Sequence, residues 1–200
     1  IKIRAIIIFD AAYESFIEEK NLPHSIFEIE GSRECSIEIC SFSKNAGFTG
    51  IRCAYTVIPS DLKIGNVKVG DVWARRQSAK FNGVSYVTQR AALEVFSNES
   101  QKEIAECISY YKRNAKLISD TLDNMGIWNI GGENSPYVWL KCPLEMTSWE
   151  FFDYLLKNAG IIGTPGSGFG PNGEGFFRIS SFGNYESTLE AKRRLELLKF

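Results

Sequence analysis

A single histidine, His24, is the sharpest scarcity in this 200-residue chain. Any mechanism that needs two imidazoles, or a His-rich metal site, is excluded by count. The five cysteines (Cys35, Cys40, Cys53, Cys107 and Cys142) are odd in number and form no CxxC pair. That argues against zinc ligation or a disulfide framework and suits a reducing compartment. Long apolar runs are also lacking. The longest, Ala5-Ile-Ile-Ile-Phe9, is far too short to cross a bilayer, and no secretory or transit segment is visible at the start. Charge of one sign is not in excess: the formal net charge is -1, which gives no reason to expect nucleic acid or an anionic membrane as partner. There is no internal repeat and no low-complexity tract.

What is present is the balance of a globular protein, with 44% hydrophobic and 24% charged residues. The length allows one large domain or parts of two. The chain opens on Ile1 rather than Met and runs directly into a strand-like segment. An upstream portion, with any targeting peptide, is therefore expected to precede it.

Residues 4–9 (RAIIIF) are continuously apolar rather than alternating, which predicts a parallel strand buried on both faces. Asp10 follows at its carboxyl end, the edge at which open α/β sheets bind ligands. Residues 34–42 and 53–58 read as further strands, and 64–67 as a small hairpin. Residues 73–80 and 86–96 read as helical, interrupted at Phe81-Asn82-Gly83. A long helix is predicted from Ser100, which has capping-box spacing to Glu103. Ile104, Ile108, Tyr111, Ala115, Ile118, Leu122 and Met125 then recur every three or four residues, and Gly126 supplies the stop. Thr147 and Glu150 form a second capping box before a helix over 149–159, closed by Gly160. Strands are expected at 137–140 and 176–180, and a basic amphipathic helix at about 185–198. The alternation argues α/β, with the long helix as hinge between residues 1–105 and a smaller domain, 106–200.

Two constellations carry chemistry. Ser41-Phe-Ser-Lys44 places a lysine at the end of a strand, and Arg52 follows a glycine-bearing turn. A lysine amine attacks carbonyls when burial or neighbouring cations lower its pKa, and hydroxyls with a guanidinium suit a phosphate dianion. The same residues would also sit comfortably in a solvated loop. Asp10, with Tyr13 three residues on, fits a carboxylate held against a pyridine ring nitrogen, and equally the N-cap of a following helix. Arg178 reads either as an anion site or as a surface arginine paired with a glutamate. His24, beside Pro23, reads as structural. The glycines of residues 163–175 do not follow GxGxxG order; a loop gating a site before the Arg178 strand is the simpler expectation.

Taken together, Phe9-Asp-Ala-Ala-Tyr13, Ser41-Phe-Ser-Lys-Asn-Ala-Gly-Phe-Thr-Gly-Ile-Arg52, and Pro165-Gly-Ser-Gly-Phe-Gly170 with Phe177-Arg-Ile-Ser180 resemble the fold-type-I aminotransferases, which use pyridoxal 5′-phosphate (PLP). Within that family the narrower likeness is to the branch that makes LL-diaminopimelate. It rests on Asp10-Ala-Ala-Tyr-Glu-Ser-Phe16, the run Phe48-Thr-Gly-Ile-Arg52, Lys80-Phe-Asn-Gly-Val-Ser85, Asn134-Ser-Pro-Tyr-Val-Trp-Leu140 and Gly163-Thr-Pro-Gly-Ser-Gly-Phe-Gly-Pro171. The likeness runs through essentially the whole chain, in order, and corresponds to the C-terminal half of the family.

The resemblance implies an α/β fold: residues 1–105 as part of a large, mostly parallel sheet domain that binds PLP, and 106–200 as the small domain. Lys44 would be catalytic, holding PLP as a Schiff base and moving the proton. Asp10 would pair with the pyridinium nitrogen and Tyr13 with the phenolic oxygen, while Ser41, Ser43 and Arg52 hold the phosphate. Arg178 would bind the substrate α-carboxylate, for which a planar fork suits better than a lysine. Asn82 would reach the neighbouring subunit's site in a homodimer.

The implied reaction moves the amino group of glutamate to tetrahydrodipicolinate in lysine synthesis. Its small-molecule partners are amino acids and 2-oxo acids; no nucleic acid, membrane or metal is expected. Bacterial members would be cytoplasmic and plant or algal ones plastidial. The alternatives are an aminotransferase of different amino-acid specificity and a non-catalytic, PLP-sensing regulator. Because family members are longer, the chain alone is expected to be inactive.

Overall fold

Strand β2 (Ser36–Ser41) organises the first half of the chain. It runs parallel to β1 (Ile7–Asp10), with Ile7 opposite Ser36 and Asp10 opposite Ile39. On its other side it pairs antiparallel with β3 (Ala54–Val57), Ser41 opposite Ala54. The computed structural model describes residues 5–200; Arg4, the expected start of the first strand, lies outside them. The chain divides into two compact units, Ile1–Cys107 and Ile108–Phe200.

In the first unit, β2 alternates buried and half-buried residues as a pleated strand should. Its inward set is unusually polar. Glu38 is buried, and its Oε2 accepts from Ser25 Oγ at 2.6 Å and Ile26 N at 2.9 Å, so the carboxylate is not left unpaired. The expectation that β1 is buried on both faces is corrected: Ile7 is 46% and Ile8 67% exposed. β1 is the edge of a three-stranded sheet, and the exposure means that no described element packs over those two side chains.

Ser41 ends β2 and caps α1 (Phe42–Asn45), its hydroxyl accepting from Ser43 N at 3.2 Å. The expected hairpin forms as β4 (Lys63–Ile64) and β5 (Val67–Lys68). Helix α2 (Val69–Lys80) begins four residues before the expected 73 and buries none of its side chains. Helix α3 (Tyr86–Glu94) is capped by Ser85. Phe42, Phe48, Cys53, Ala92 and Val95 form the apolar core here.

Helix α4 (Asn98–Asn124) starts two residues before Ser100. Ser97 is the working cap: its Oγ receives Ser100 N at 3.2 Å, so Ser100 spends its own N–H on Ser97 and does not open the helix. In the second unit the apolar face of α4 lies in one core with a four-stranded antiparallel sheet. The strands are β6 (Asn129–Gly131), β7 (Tyr137–Lys141), β8 (Thr164–Pro165) and β9 (Phe176–Ser180), in the order β6-β7-β9-β8.

Strand alternation divides this sheet sharply. Val138, Leu140, Phe177 and Ile179 enter the core with Leu122 of α4, Phe151 and Leu155 of α5 (Ser148–Ala159) and Leu195 of α6 (Tyr185–Leu195). Tyr137, Trp139, Phe176 and Arg178 fall on the opposite face. Helix α5 uses the expected capping box, Thr147 with Glu150, and ends at Gly160 with φ 62°. Asn114 of α4 is fully buried and donates to the carbonyls of Ser181 (3.1 Å) and Gly183 (2.8 Å), fixing the turn after β9. Phe151 meets Phe177 edge to face at 5.1 Å. Phe151→Ala is expected to lower stability by about 3–5 kcal/mol, measured as a shift in the urea unfolding midpoint with unchanged slope.

Candidate functional site

The parallel pairing of β1 and β2 places their carboxyl ends on the same edge of the sheet. Asp10 stands at one of these ends and Ser41 at the other, with Lys44 one turn further on in α1. Asp10 is exposed; its Oδ1 accepts from Ala12 N at 3.1 Å, a local turn rather than a helix cap. Tyr13 opens a short 3-10 turn over Glu14–Phe16. That turn is tied to α1: Asn45 Nδ2 donates to Ser15 Oγ at 3.3 Å.

The loop after α1 folds back on itself. Phe42 N donates to Cys53 O (3.2 Å), and both Ile51 N and Arg52 N donate to Phe48 O. Thr49 links two of the predicted residues: its Oγ1 donates to Ser43 O at 2.8 Å, and its carbonyl accepts from Arg52 Nη1 at 2.7 Å. Arg52 itself has φ 64°, a left-handed conformation that costs a non-glycine residue about 1–2 kcal/mol. Phe42, packed against Phe48 (5.6 Å), Tyr55 (5.5 Å) and Phe96 (5.8 Å), anchors both ends of the loop. The structure therefore brings Ser41, Ser43, Lys44 and Arg52 into one folded segment, with Asp10 at the end of the neighbouring strand.

Sequence reasoning gave no role to Ser15, Asn45 or Thr49, although all three lie within the quoted motifs. Their signal is faint: short polar side chains beside the chemical groups. Asn45 Oδ1 is buried and meets no donor among the described residues.

Arg178 belongs to the second unit. It sits in β9 between β7 and β8, opposite Trp139 and Thr164. Its guanidinium lies 4.1 Å from the Tyr137 ring centroid and 4.6 Å from that of Phe169. Among the described residues it joins no ion pair, so the reading as a surface arginine matched to a glutamate is not what the fold builds. The guanidinium is half-buried, and its ring contacts use none of its N–H donors.

Within residues 163–175, close packing requires three of the glycines, Gly163, Gly166 and Gly173. A Cβ on Gly166 would stand 2.2 Å from Gly173 O, and one on Gly173 would stand 2.0 Å from Gly166 O. Glu174 Oε1 accepts from Ser148 N at 2.7 Å, which holds its carboxyl below the usual range. The bond therefore persists above the ordinary carboxylate range and weakens as pH falls through the lowered value.

Asn82 closes α2 in a left-handed conformation, φ 68°, with its N–H on Gln77 O at 2.7 Å, and its side chain is exposed. His24 faces Glu14 at 3.4 Å. Three of the five thiols are buried and hard to ionise. Burial pushes Cys40 up to about 11, as it does Cys142, and raises Cys53.

Known proteins match this arrangement over nearly the whole chain. Residues 2–193 match the family described as aminotransferase class I and II. The LL-diaminopimelate aminotransferase of Lachnospira eligens is 56% identical over 197 residues, 98% of this chain and 49% of the relative. That of Agathobacter rectalis is 54% identical, covering 97% of this chain and 48% of the relative. The solved L,L-diaminopimelate aminotransferase from Chlamydomonas reinhardtii superposes with a TM-score of 0.91 at 43% identity, over 96% of this chain and 47% of that one. An aromatic aminotransferase from Pyrococcus horikoshii gives a TM-score of 0.83 at 30% identity, over 96% and 50%. The chain thus spans about half the length of the curated relatives it matches.

With burial pushing both thiols up to about 11, little of Cys40 or Cys142 is ionised at pH 8. Iodoacetamide at that pH is expected to label exposed Cys107 well before either of them, as read by peptide mass mapping.

Proposed function

The chain belongs to the class I and II aminotransferase family, and from that premise we propose that the protein it represents is a PLP-dependent LL-diaminopimelate aminotransferase. In this reading, glutamate donates the amino group and tetrahydrodipicolinate receives it. The observation that carries the proposal is the folded Ser41–Arg52 segment, with Asp10 at the same sheet edge. Its donor set fits PLP: an amine for the aldehyde, hydroxyls and a guanidinium for the phosphate, and a carboxylate for the ring nitrogen. When bound, PLP supplies an electron sink that stabilises the carbanion formed at the substrate α-carbon.

The chain's own residues do the rest. Lys44 anchors the cofactor and then carries the proton to and from the α-carbon. Asp10 keeps the ring nitrogen protonated, and Tyr13 donates to the phenolic oxygen. Ser41, Ser43 and Arg52 grip the phosphate, Arg52 from its left-handed perch. Arg178 receives the α-carboxylate. Asn82 acts across a homodimer, in the partner's site. Residues 1–105 are read as the C-terminal part of the large domain and 106–200 as the small domain. The half of the relatives' length that this chain does not span would cover exposed Ile7 and Ile8 and supply the remaining cofactor contacts. A cytoplasmic location belongs to the same reading. No helix among the described residues is long and apolar enough to cross a membrane.

Borohydride reduction after incubation with PLP tests the site in the full-length protein. A pyridoxyl adduct confined to Lys44, and lost in Lys44→Ala, is the expected result; absent or scattered labelling sinks it. Conversion of bound PLP to pyridoxamine phosphate by LL-diaminopimelate tests the specificity. The isolated 200-residue chain is expected to show no turnover.

A further inference from the structure

Phe169 presents a physical problem. It stands 4.6 Å from the Arg178 guanidinium and meets Trp139 edge to face at 5.6 Å, yet 52% of it remains exposed, so burial by itself holds it only in part. Its backbone lies in a short turn, Gly166–Phe169, that follows β8. β8 pairs with β9 beside Arg178 itself, Thr164 opposite Arg178. A polar clasp at the start of α5 also ties the turn down.

The clasp centres on Ser148, whose side chain is fully buried. Its Oγ donates to Gly173 O (3.2 Å) and accepts from Ser167 N (3.3 Å) and Gly175 N (3.1 Å), joining both limbs of the loop through one hydroxyl. Glu174 locks it from the other side, its Oε1 accepting from Ser148 N (2.7 Å) and Gly175 N (3.1 Å). The backbones of residues 166 and 173 touch directly, with no room for a side chain at either position.

We propose that Ser148 and Glu174 are positioning residues that fix Phe169 against Arg178 and thereby set the slot in which a substrate carboxylate meets the guanidinium. The proposal rests on the reading of Arg178 as the carboxylate site. With both Phe169 and Tyr137 against it, at 4.6 and 4.1 Å, the guanidinium has less freedom to turn, which favours donors aligned with a planar anion. Ser148 acts only through the loop and touches no substrate.

The test uses the full-length, PLP-loaded protein and titrates glutarate, a non-reacting dicarboxylate, by calorimetry well below the unfolding temperature. Ser148→Ala and Phe169→Ala are each expected to weaken glutarate binding about three- to tenfold, the loss of one stacked cation contact. KM for the amino donor should rise in step while kcat changes little, and borohydride labelling of Lys44 should be retained. Because Ser148 works through Phe169, the double variant should be no weaker than Phe169→Ala alone. Should Ser148→Ala fail to fold, Glu174→Gln takes its place, with the same non-additivity expected. Wild-type affinity in Ser148→Ala, or effects that multiply in the double variant, overturn the clasp, provided Arg178→Lys still weakens binding. Unchanged affinity in Arg178→Lys overturns the carboxylate reading, and the proposal with it.

Discussion

The burial of one aromatic ring, that of Phe42, governs how the first unit presents its chemistry. Phe42 directly precedes Ser43 and Lys44, and its ring is wedged among Phe48, Tyr55 and Phe96 while its N–H reaches Cys53. Burying a phenylalanine contributes about 1.5–3 kcal/mol. The left-handed turn at Arg52 costs about 1–2 kcal/mol. The two are of the same size, so the ring can hold the loop closed over that strain. With Phe42 fixed inward, helical geometry turns the next two side chains away from this core.

The second unit solves a different problem, that of keeping a cation available. An arginine in the middle of a sheet would ordinarily find a carboxylate. Here the Tyr137 and Phe169 rings stand against it, and rings can hold a guanidinium without consuming its hydrogen-bond donors. The opposite face of the same strands is wholly apolar and supplies the core. Alternation along β9 thus lets a single five-residue strand hold the unit together with Phe177 and Ile179 and offer Arg178 outward.

Two of the residues given roles, Arg52 and Asn82, have positive φ without being glycine. For Asn82 the local explanation is complete: an amide side chain tolerates the left-handed region and closes α2. For Arg52 no such tolerance exists, and the position persists because Phe48 O takes its N–H and Thr49 O takes its guanidinium. Strain that the surroundings over-determine in this way is characteristic of a working site.

The sequence by itself determined the chemical inventory and most of the elements. A strand before Asp10, a strand before Ser41, the Thr147–Glu150 cap and the apolar period of α4 were all legible. Each depends on neighbours within a few residues, where propensity and capping act. The glycine spacing of residues 163–175 excluded a nucleotide fingerprint for a similar reason. What only tertiary structure decided are contacts across many residues. The bond from Asn45 to Ser15 spans 30 residues, the clasp of Ser148 on Gly175 spans 27, and the Tyr137 ring comes to Arg178 only because β7 and β9 pair. The start of α4 fell to the same cause in miniature, since Ser97 and Ser100 are equally good caps by type and only geometry chose between them. Exposure of Ile7 and Ile8 was beyond the sequence as well, because an apolar run reports what a strand can bury and not what is present to cover it.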